Sequence, residues 1–324
     1  MNKLLSVCII TRNRPKQVIE AIESVKQCTI GQENIEIVVY DNNDPNDSIT
    51  FQSIRNQHPD VICTGMGGGN LGVCRSRNIA ARCSSGRYLY FMDDDSWLHP
   101  DVFQPLIDAL QNTEGAFMAE AHIRFIRDDE YMGPTGRERE RPPFYLSLIE
   151  CEGGICFERN TFFKIGGWNE HLFFGGEGYE ISLRAFYLGY FGIMSMKSVA
   201  FHPSSSSSVK KAEIMDLHKK RLCDCIRAHC HIIRMDWPLL PAVGGLLKTA
   251  SLTAYREARK NNDFFLGLKI CCIALGTFFS CLPRYPHISK NRFWLFRKTY
   301  QDESLMEIIP GSQDYRQIIF GNKE

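Results

Sequence analysis

Between Leu4 and Met92 the chain alternates short apolar runs with helical stretches, and this alternation restricts its fold more than any other feature. Leu4-Leu5-Ser6-Val7-Cys8-Ile9-Ile10 is β-rich and apolar, the pattern of a strand covered on both sides. Arg14-Pro15 then opens a helical stretch in which Val18, Ile22 and Val25 share one face, with Pro15 suited to the first turn. Ile35–Tyr40 predicts a second buried strand, ended by the turn formers Asp41-Asn42-Asn43-Asp44-Pro45. Val61–Cys63 predicts a third strand. Gly65–Gly69 follows, then a helix from about Leu71 to Cys83, and Arg87–Met92 predicts a fourth strand. Strands separated by helices of this length imply parallel βαβ units and a doubly wound, Rossmann-like α/β sheet. At 324 residues, 44% of them hydrophobic, the chain can bury one large core or two moderate ones.

From Gln111 the pattern is mixed. Ala116–Ile126 predicts a strand, Asp128–Pro143 a charged loop containing Arg137, Arg139 and Arg141, Gly153–Phe157 a return to sheet, and Glu177–Leu188 a helix. Ser204–Ser208 is a low-complexity serine run that reads as a linker. Beyond it the sequence becomes basic and helical. Val209 to Tyr300 holds seventeen Lys/Arg against six Asp/Glu, so a net charge of only +1 leaves the remainder of the chain acidic. The thirteen cysteines show no pairing periodicity and no C-x-x-C spacing, which argues against a structural zinc site. Met1 leads straight into a strand-like run with no signal-peptide pattern, so the cysteines read as reduced, buried thiols of a cytoplasmic protein.

The run Tyr88-Leu89-Tyr90-Phe91-Met92-Asp93-Asp94-Asp95 carries the chemistry. Three successive carboxylates at the end of a buried strand repel one another, and strand C-terminal ends are where open α/β sheets bind ligands. Mg2+ or Mn2+ would suit such oxygens and would share them with substrate phosphates. A solvated acidic turn or a helix N-cap is the alternative, since Asp95 precedes Ser96 and Pro100.

Four segments set this cluster in a wider pattern. Val7-Cys8-Ile9-Ile10-Thr11-Arg12-Asn13-Arg14 resembles the opening strand and loop of family 2 glycosyltransferases, and Val38-Val39-Tyr40-Asp41-Asn42-Asn43 resembles their second strand. Asn70-Leu71-Gly72 with Arg77-Asn78 resembles their N-x-G…A-R-N segment, and Asp93-x-Asp95 with Trp97 and Pro100 resembles their D-x-D and W-x-x-P. The resemblance covers roughly the first hundred residues in order and spacing. It implies a GT-A fold, a nucleotide-sugar donor (UDP-linked by expectation) and a divalent cofactor, Mn2+ or Mg2+. Thr11 and Asp41 would then hold the ribose and base edge, with Arg12, Asn13, Arg14 and Asn70 around the nucleotide. Arg77 would meet the diphosphate with its planar fork, although an exposed helix arginine is its bland reading. Asp93 and Asp94 would contact the donor. Asp93 and Asp95 would hold the metal, and His202, after the strand-like Ser198–Phe201, would complete its shell. A lone histidine of structural role is the alternative there.

A second block, Gly166-Gly167-Trp168 through Gly175-Gly176-Glu177-Gly178-Tyr179-Glu180 to Arg184, resembles the acceptor-side segment of polypeptide N-acetylgalactosaminyltransferases, chondroitin polymerases and β-galactosyltransferases. Gly175 and Gly176 would let backbone approach a ligand. Trp168 would form a sugar-stacking wall or else a core residue. Glu177 and Glu180 lie one helical turn apart, and Arg184 is placed to pair with Glu180; a helix N-terminus also favours both acids. Gly178 stands where family 2 enzymes carry the Asp taken as general base. Glu177 as base, Glu180 as base, or a retaining reaction with no such base remain open, and Glu177 is favoured.

The expected organisation is therefore a catalytic domain over 1–208, with a nucleotide-sugar half at 1–110 and an acceptor half at 111–208, and a basic helical region over 209–324. Phe264–Leu282 is apolar apart from Lys269 and small polar residues, and Pro283 follows it, which argues for an in-plane or buried helix. Arg256, Arg259, Lys260, Arg284, Lys290, Arg292, Arg297 and Lys298, interleaved with Phe293, Trp294 and Phe296, would suit an anionic membrane surface. A packed subdomain or homodimer interface is the alternative, and no nucleic-acid motif is present. The expected location is cytoplasmic, peripheral on the inner face of the cell membrane. The expected acceptor is a glycan or lipid-linked glycan, as in surface polysaccharide biosynthesis. A GT-A binding protein with a degenerate site and a protein-modifying glycosyltransferase are the competing readings.

Overall fold

A computed structural model describes residues 3–43, 49–65, 69–127, 130–131, 141–149 and 153–203. In the C-terminal third it describes 247–248, 251–252, 254–256, 258–259, 264–281, 295, 299–300 and 306–320. The turn at 44–45, most of the charged loop at 128–143, the serine run and most of the basic segment lie outside the described residues.

Four strands build the first half of the sheet: β1 (Leu5–Thr11), β2 (Ile35–Asp41), β3 (Ile62–Thr64) and β4 (Tyr88–Asp93), in the order β3-β2-β1-β4 and all parallel. Helices α1 (Pro15–Lys26), α2 (Ile49–Gln57) and α3 (Val73–Arg82) connect them. Strand β1 is apolar on both faces because it has a helix on each. Leu5, Val7 and Ile9 join Val18, Ile22 and Val25 of α1, while Cys8 joins Cys74, Ala80 and Ala81 of α3. This is the doubly covered parallel arrangement the sequence predicts, with α2 as an addition that its weaker periodicity hides.

The remaining elements are β5 (Trp97–Leu98), α4 (Phe103–Asn112), β6 (Ala116–Arg127), β7 (Glu130–Tyr131), β8 (Phe144–Ser147), β9 (Gly154–Glu158), α5 (Arg159–Lys164), α6 (Glu177–Tyr187) and β10 (Phe191–Pro203). They extend the same sheet as β4-β9-β6-β10-β5, with β7 on β6 and β8 on β10. β9 runs antiparallel to both of its neighbours. β10 shifts register against β6 between Ser195 and Val199. Such a bulge bends a strand, and past it β10 pairs with β5, placing Phe201 opposite Trp97. Because β5 begins two residues after Asp95, this pairing brings His202 back to the end of β4.

Two C-terminal helices follow, α7 (Phe264–Cys281) and α8 (Tyr315–Phe320). Leu266, Ile270 and Ala274 form a buried stripe along α7, while Phe264, Phe265, Leu268 and Phe279 are exposed. No helix among the described residues is long and apolar enough to cross a membrane. Residues 306–320 return to the core of the sheet: Met306 O accepts from Leu146 N, Phe144 O accepts from Ile308 N, each at 2.9 Å, and Ile308, Tyr315 and Ile319 are buried in the main cluster. The end of the chain is thus built into the domain that precedes it.

Candidate functional site

The C-terminal ends of β1, β2 and β4 set the site's polar groups in register. Thr11 lies opposite Asp41, and Ile10 opposite Asp93. Above them opens a cavity of about 390 Å3 lined by Thr11, Arg12, Asn13, Arg14, Asn70, Arg77, Asp93, Asp94, Asp95 and His202, all expected from the sequence. Asp41 is buried beside it and is not among the lining residues.

Asp93, Asp95 and His202 offer ligand atoms within 4.8 Å of one another. His202 Nδ1 donates to the carbonyl of Pro203 at 2.8 Å. The other ring nitrogen, Nε2, thereby faces Asp95 Oδ1 at 3.2 Å and Asp93 Oδ2 at 3.8 Å. A backbone carbonyl holding one ring nitrogen while the second faces carboxylates is the usual setting of a metal-binding imidazole. Burial alone would lower the His202 pKa, but Asp95, with Asp93, raises it above its ordinary value. Burial likewise works against the charge of Asp95, and His202 and Arg14 together hold its pKa below the usual range. Arg14 and His202 converge on these carboxylates, and Asp93, Asp95 and His202 together could hold a metal.

Asp94 takes a different place. It is buried, its pKa is pushed up to about 6 by that burial against the pull of Arg14, and its Oδ1 accepts from Arg14 Nη1 at 2.9 Å. The same Arg14 nitrogen reaches Asp95 Oδ2 at 2.6 Å. The preceding residue, Asn13, has φ 56°, an uncommon left-handed value away from glycine, and its N–H donates to Asn43 Oδ1 at 3.0 Å.

Arg77 lines the cavity but is 4% exposed and engaged. Its Nη2 donates to Asp93 Oδ1 at 3.2 Å, its Nη1 lies 3.5 Å from Glu177 Oε1, and its plane lies over Trp168 at 5.1 Å. The expected acceptor-side residues lie behind this front. Trp168 is 1% exposed and packs edge-on against Phe91 and Phe157, which makes it core rather than a sugar wall. Glu180 is fully buried and bidentate to Arg184 at 3.0 and 2.7 Å, the expected helical pair. Gly175 and Gly176 adopt φ 108° and 82°, where only glycine is unstrained, and the Gly175 N–H donates to Glu177 Oε2 at 2.6 Å. None of these five residues lines the cavity.

Sequence reasoning missed several participants. Phe173 and Phe174 supply the cavity's aromatic wall. Gly72 abuts Phe173, whose carbonyl lies 2.7 Å from where a side-chain carbon would begin. Asn42 donates to Asn70 Oδ1 and accepts from Leu71 N, both at 2.8 Å, which fixes the loop before α3. Only the turn composition around 41–43 and 70–72 hinted at these positions.

A parallel β3-β2-β1-β4 edge that meets an Asp-x-Asp and a returning histidine over a nucleotide-sized cavity defines the GT-A class of glycosyltransferases. The family model described as glycosyl transferase family 2 matches residues 6–165. An uncharacterized glycosyltransferase of Haemophilus influenzae is 28% identical over 182 residues, which is 52% of this chain and 58% of that protein. Solved structures that share the fold include two bound to nucleotides and Mn2+. GalNAc-T7, solved with UDP, GalNAc and Mn2+, has a TM-score of 0.58 and 17% identity over 74% of this chain and 49% of its own. The mannosyltransferase PcManGT of Pyrobaculum calidifontis, solved with GDP-Man and Mn2+, has a TM-score of 0.52 and 16% identity over 92% of this chain and 79% of its own. Over residues 6–165 the chain carries a family 2 glycosyl transferase domain, and its fold is GT-A.

Proposed function

We propose that the protein transfers a sugar, a hexosyl or N-acetylhexosaminyl unit, from a UDP-linked donor to a glycan or lipid-linked glycan acceptor in surface polysaccharide biosynthesis, with Mn2+ or Mg2+ bound by Asp93, Asp95 and His202. The convergence of those three side chains beside the cavity is the observation that carries this reading. When bound, the ion would stabilise the nucleoside-diphosphate leaving group as a Lewis acid. Around it, Thr11 and Asp41 would hold the nucleoside, and Arg12, Asn13 and Asn70 would border it. Arg14, half-exposed and already paired with Asp94 and Asp95, can turn toward phosphate oxygens with its planar fork. Phe173 and Phe174 would supply the wall against which the sugar rests.

The acceptor's lipid portion would lie at an anionic membrane surface met by α7. Its exposed Phe264, Phe265 and Leu268 stand with Lys269 and with the exposed Arg256 and Arg259 of the preceding helical residues. A protein-modifying transferase is the second reading, favoured by the Gly175-Gly176-Glu177 segment and by the likeness to GalNAc-T7.

Donor hydrolysis and Mn2+-dependent binding of UDP test the proposal. Asp95→Ala should abolish both in a protein that still folds, because a partly exposed aspartate contributes little to stability. Full activity in the folded variant would sink the metal assignment. Acceptor panels of lipid-linked glycans and of peptides then separate the two readings.

A further inference from the structure

We propose that Glu177 acts on the metal centre through Arg77, as a positioning residue that shares the guanidinium with Asp93 and limits its hold on that carboxylate, rather than as a proton acceptor. This rests on the reading of Asp93, Asp95 and His202 as metal ligands.

Three groups on three elements form a chain. Asp93 ends β4, Arg77 lies on α3, and Glu177 opens α6. Arg77 reaches Asp93 Oδ1 at 3.2 Å and Glu177 Oε1 at 3.5 Å, and the side chains of Arg77 and Glu177 are each 4% exposed. Trp168 beneath the guanidinium, 5.1 Å away, limits where its plane can turn. The second oxygen of Glu177 is fixed by the Gly175 N–H at 2.6 Å, so the carboxylate cannot swing without unmaking the Gly175-Gly176 turn. A general base must present a lone pair to the acceptor hydroxyl. Here one oxygen faces a cation and the other an amide, and the residue does not line the cavity.

The electrostatic consequence is specific. A buried cation deprived of one counter-charge draws more strongly on those that remain, and Asp93 is already the second partner of Arg77. With Glu177 neutralised, Arg77 should close on Asp93 and compete with the ion for its oxygens. Residues that orient metal ligands typically alter metal affinity by roughly ten- to a hundredfold when replaced.

The test is calorimetric titration of Mn2+ into the full-length protein, without nucleotide or acceptor. Glu177→Gln should bind Mn2+ roughly ten- to a hundredfold more weakly than wild type. Glu177→Asp, which keeps the charge, should fall between them and carries the test should Glu177→Gln fail to fold. In an Arg77→Gln background, Glu177→Gln should change Mn2+ affinity no further, since its route to Asp93 is gone. Unaltered Mn2+ affinity in folded Glu177→Gln, with turnover lost, would overturn the proposal and restore Glu177 as the base. Equal losses with and without Arg77 would overturn it too. Wild-type protein that binds no Mn2+ either alone or with UDP present would overturn the metal reading itself, and this proposal with it.

Discussion

A carbon attached at position 153 would lie 2.6 Å from Oδ2 of Asp93, well inside van der Waals contact. Gly153 is therefore a steric condition of the site, and its backbone imposes no such demand, since its φ is not among the left-handed glycine values. Gly153→Ala should fold, because only the tip of one side chain has to move. It should also weaken Mn2+ binding severalfold, as Asp93 rotates its carboxylate away from His202. Calorimetry beside a thermal melt checks this. Wild-type affinity in Gly153→Ala would mean that Asp93 can hold an ion in another rotamer. The sequence showed Asp93 but not this dependence, because a glycine just before a strand looks the same whether it spares a neighbour or ends a turn. Trp168 teaches the converse. The sequence left a sugar wall and a core residue both open; aromatic packing on Phe91 and Phe157 puts it inside, and Phe173 and Phe174 are the aromatic residues that line the cavity.

At the scale of elements, the ends of the sheet divide their work. The C-terminal ends of β1, β2 and β4 hold the site, and the opposite edge is locked by Glu36 of β2. Its Oε1 accepts from Ser6 Oγ at 2.5 Å and from Gly86 N at 3.0 Å, and its carboxylate also accepts from the N–H and hydroxyl of Ser85. Strands β1 and β2 and the turn that leads into β4 are joined there by one charge. Burial works against that charge, but the hydrogen bonds from Ser6, Ser85 and Gly86 prevail and hold the Glu36 pKa below its ordinary value. A carboxyl depressed in the folded state contributes stability above its unfolded pKa and loses it as pH falls through the folded one. Glu36→Gln should therefore cost about 1 kcal/mol at neutral pH, the low end for bonds to a partly exposed charged group. The difference from wild type should shrink below the usual glutamate range. Urea midpoints at neutral and acid pH check this, and a gap that persists in acid would assign the loss to shape rather than charge. The parallel ladders themselves were legible because hydrophobic period and turn residues act locally. The antiparallel course of β9, the bulge in β10 and its pairing with β5 depend on contacts far apart in sequence, and no local pattern announces them.

The whole molecule does not divide where its composition does. The basic region begins after the serine run, yet residues 306–320 close the same core that β1 opens, with Phe320 4.9 Å from Phe186 of α6. Cutting the chain near Ser208 would therefore remove part of the catalytic core, and lost lipid binding in such a fragment would say little about α7. Substitution on α7 is the cleaner probe. The buried Leu266, Ile270 and Ala274 hold the helix in place, and Gly267 allows close approach to Ala254 and Ala258. Phe264, Phe265 and Leu268 contribute nothing to that contact face and are 77%, 79% and 54% exposed. Burying an apolar side chain of this size contributes roughly 1.5–3 kcal/mol, so replacing all three with serine should weaken partitioning onto anionic liposomes by well over tenfold. The melting temperature should stay close to wild type. Wild-type binding should also weaken with added salt, since the Arg256, Arg259 and Lys269 contributions are screened while the apolar one is not. Equal partitioning of the triple variant and wild type would move this face from lipid to another role, and a second copy of the chain, visible by sedimentation, is the occupant it would then suit.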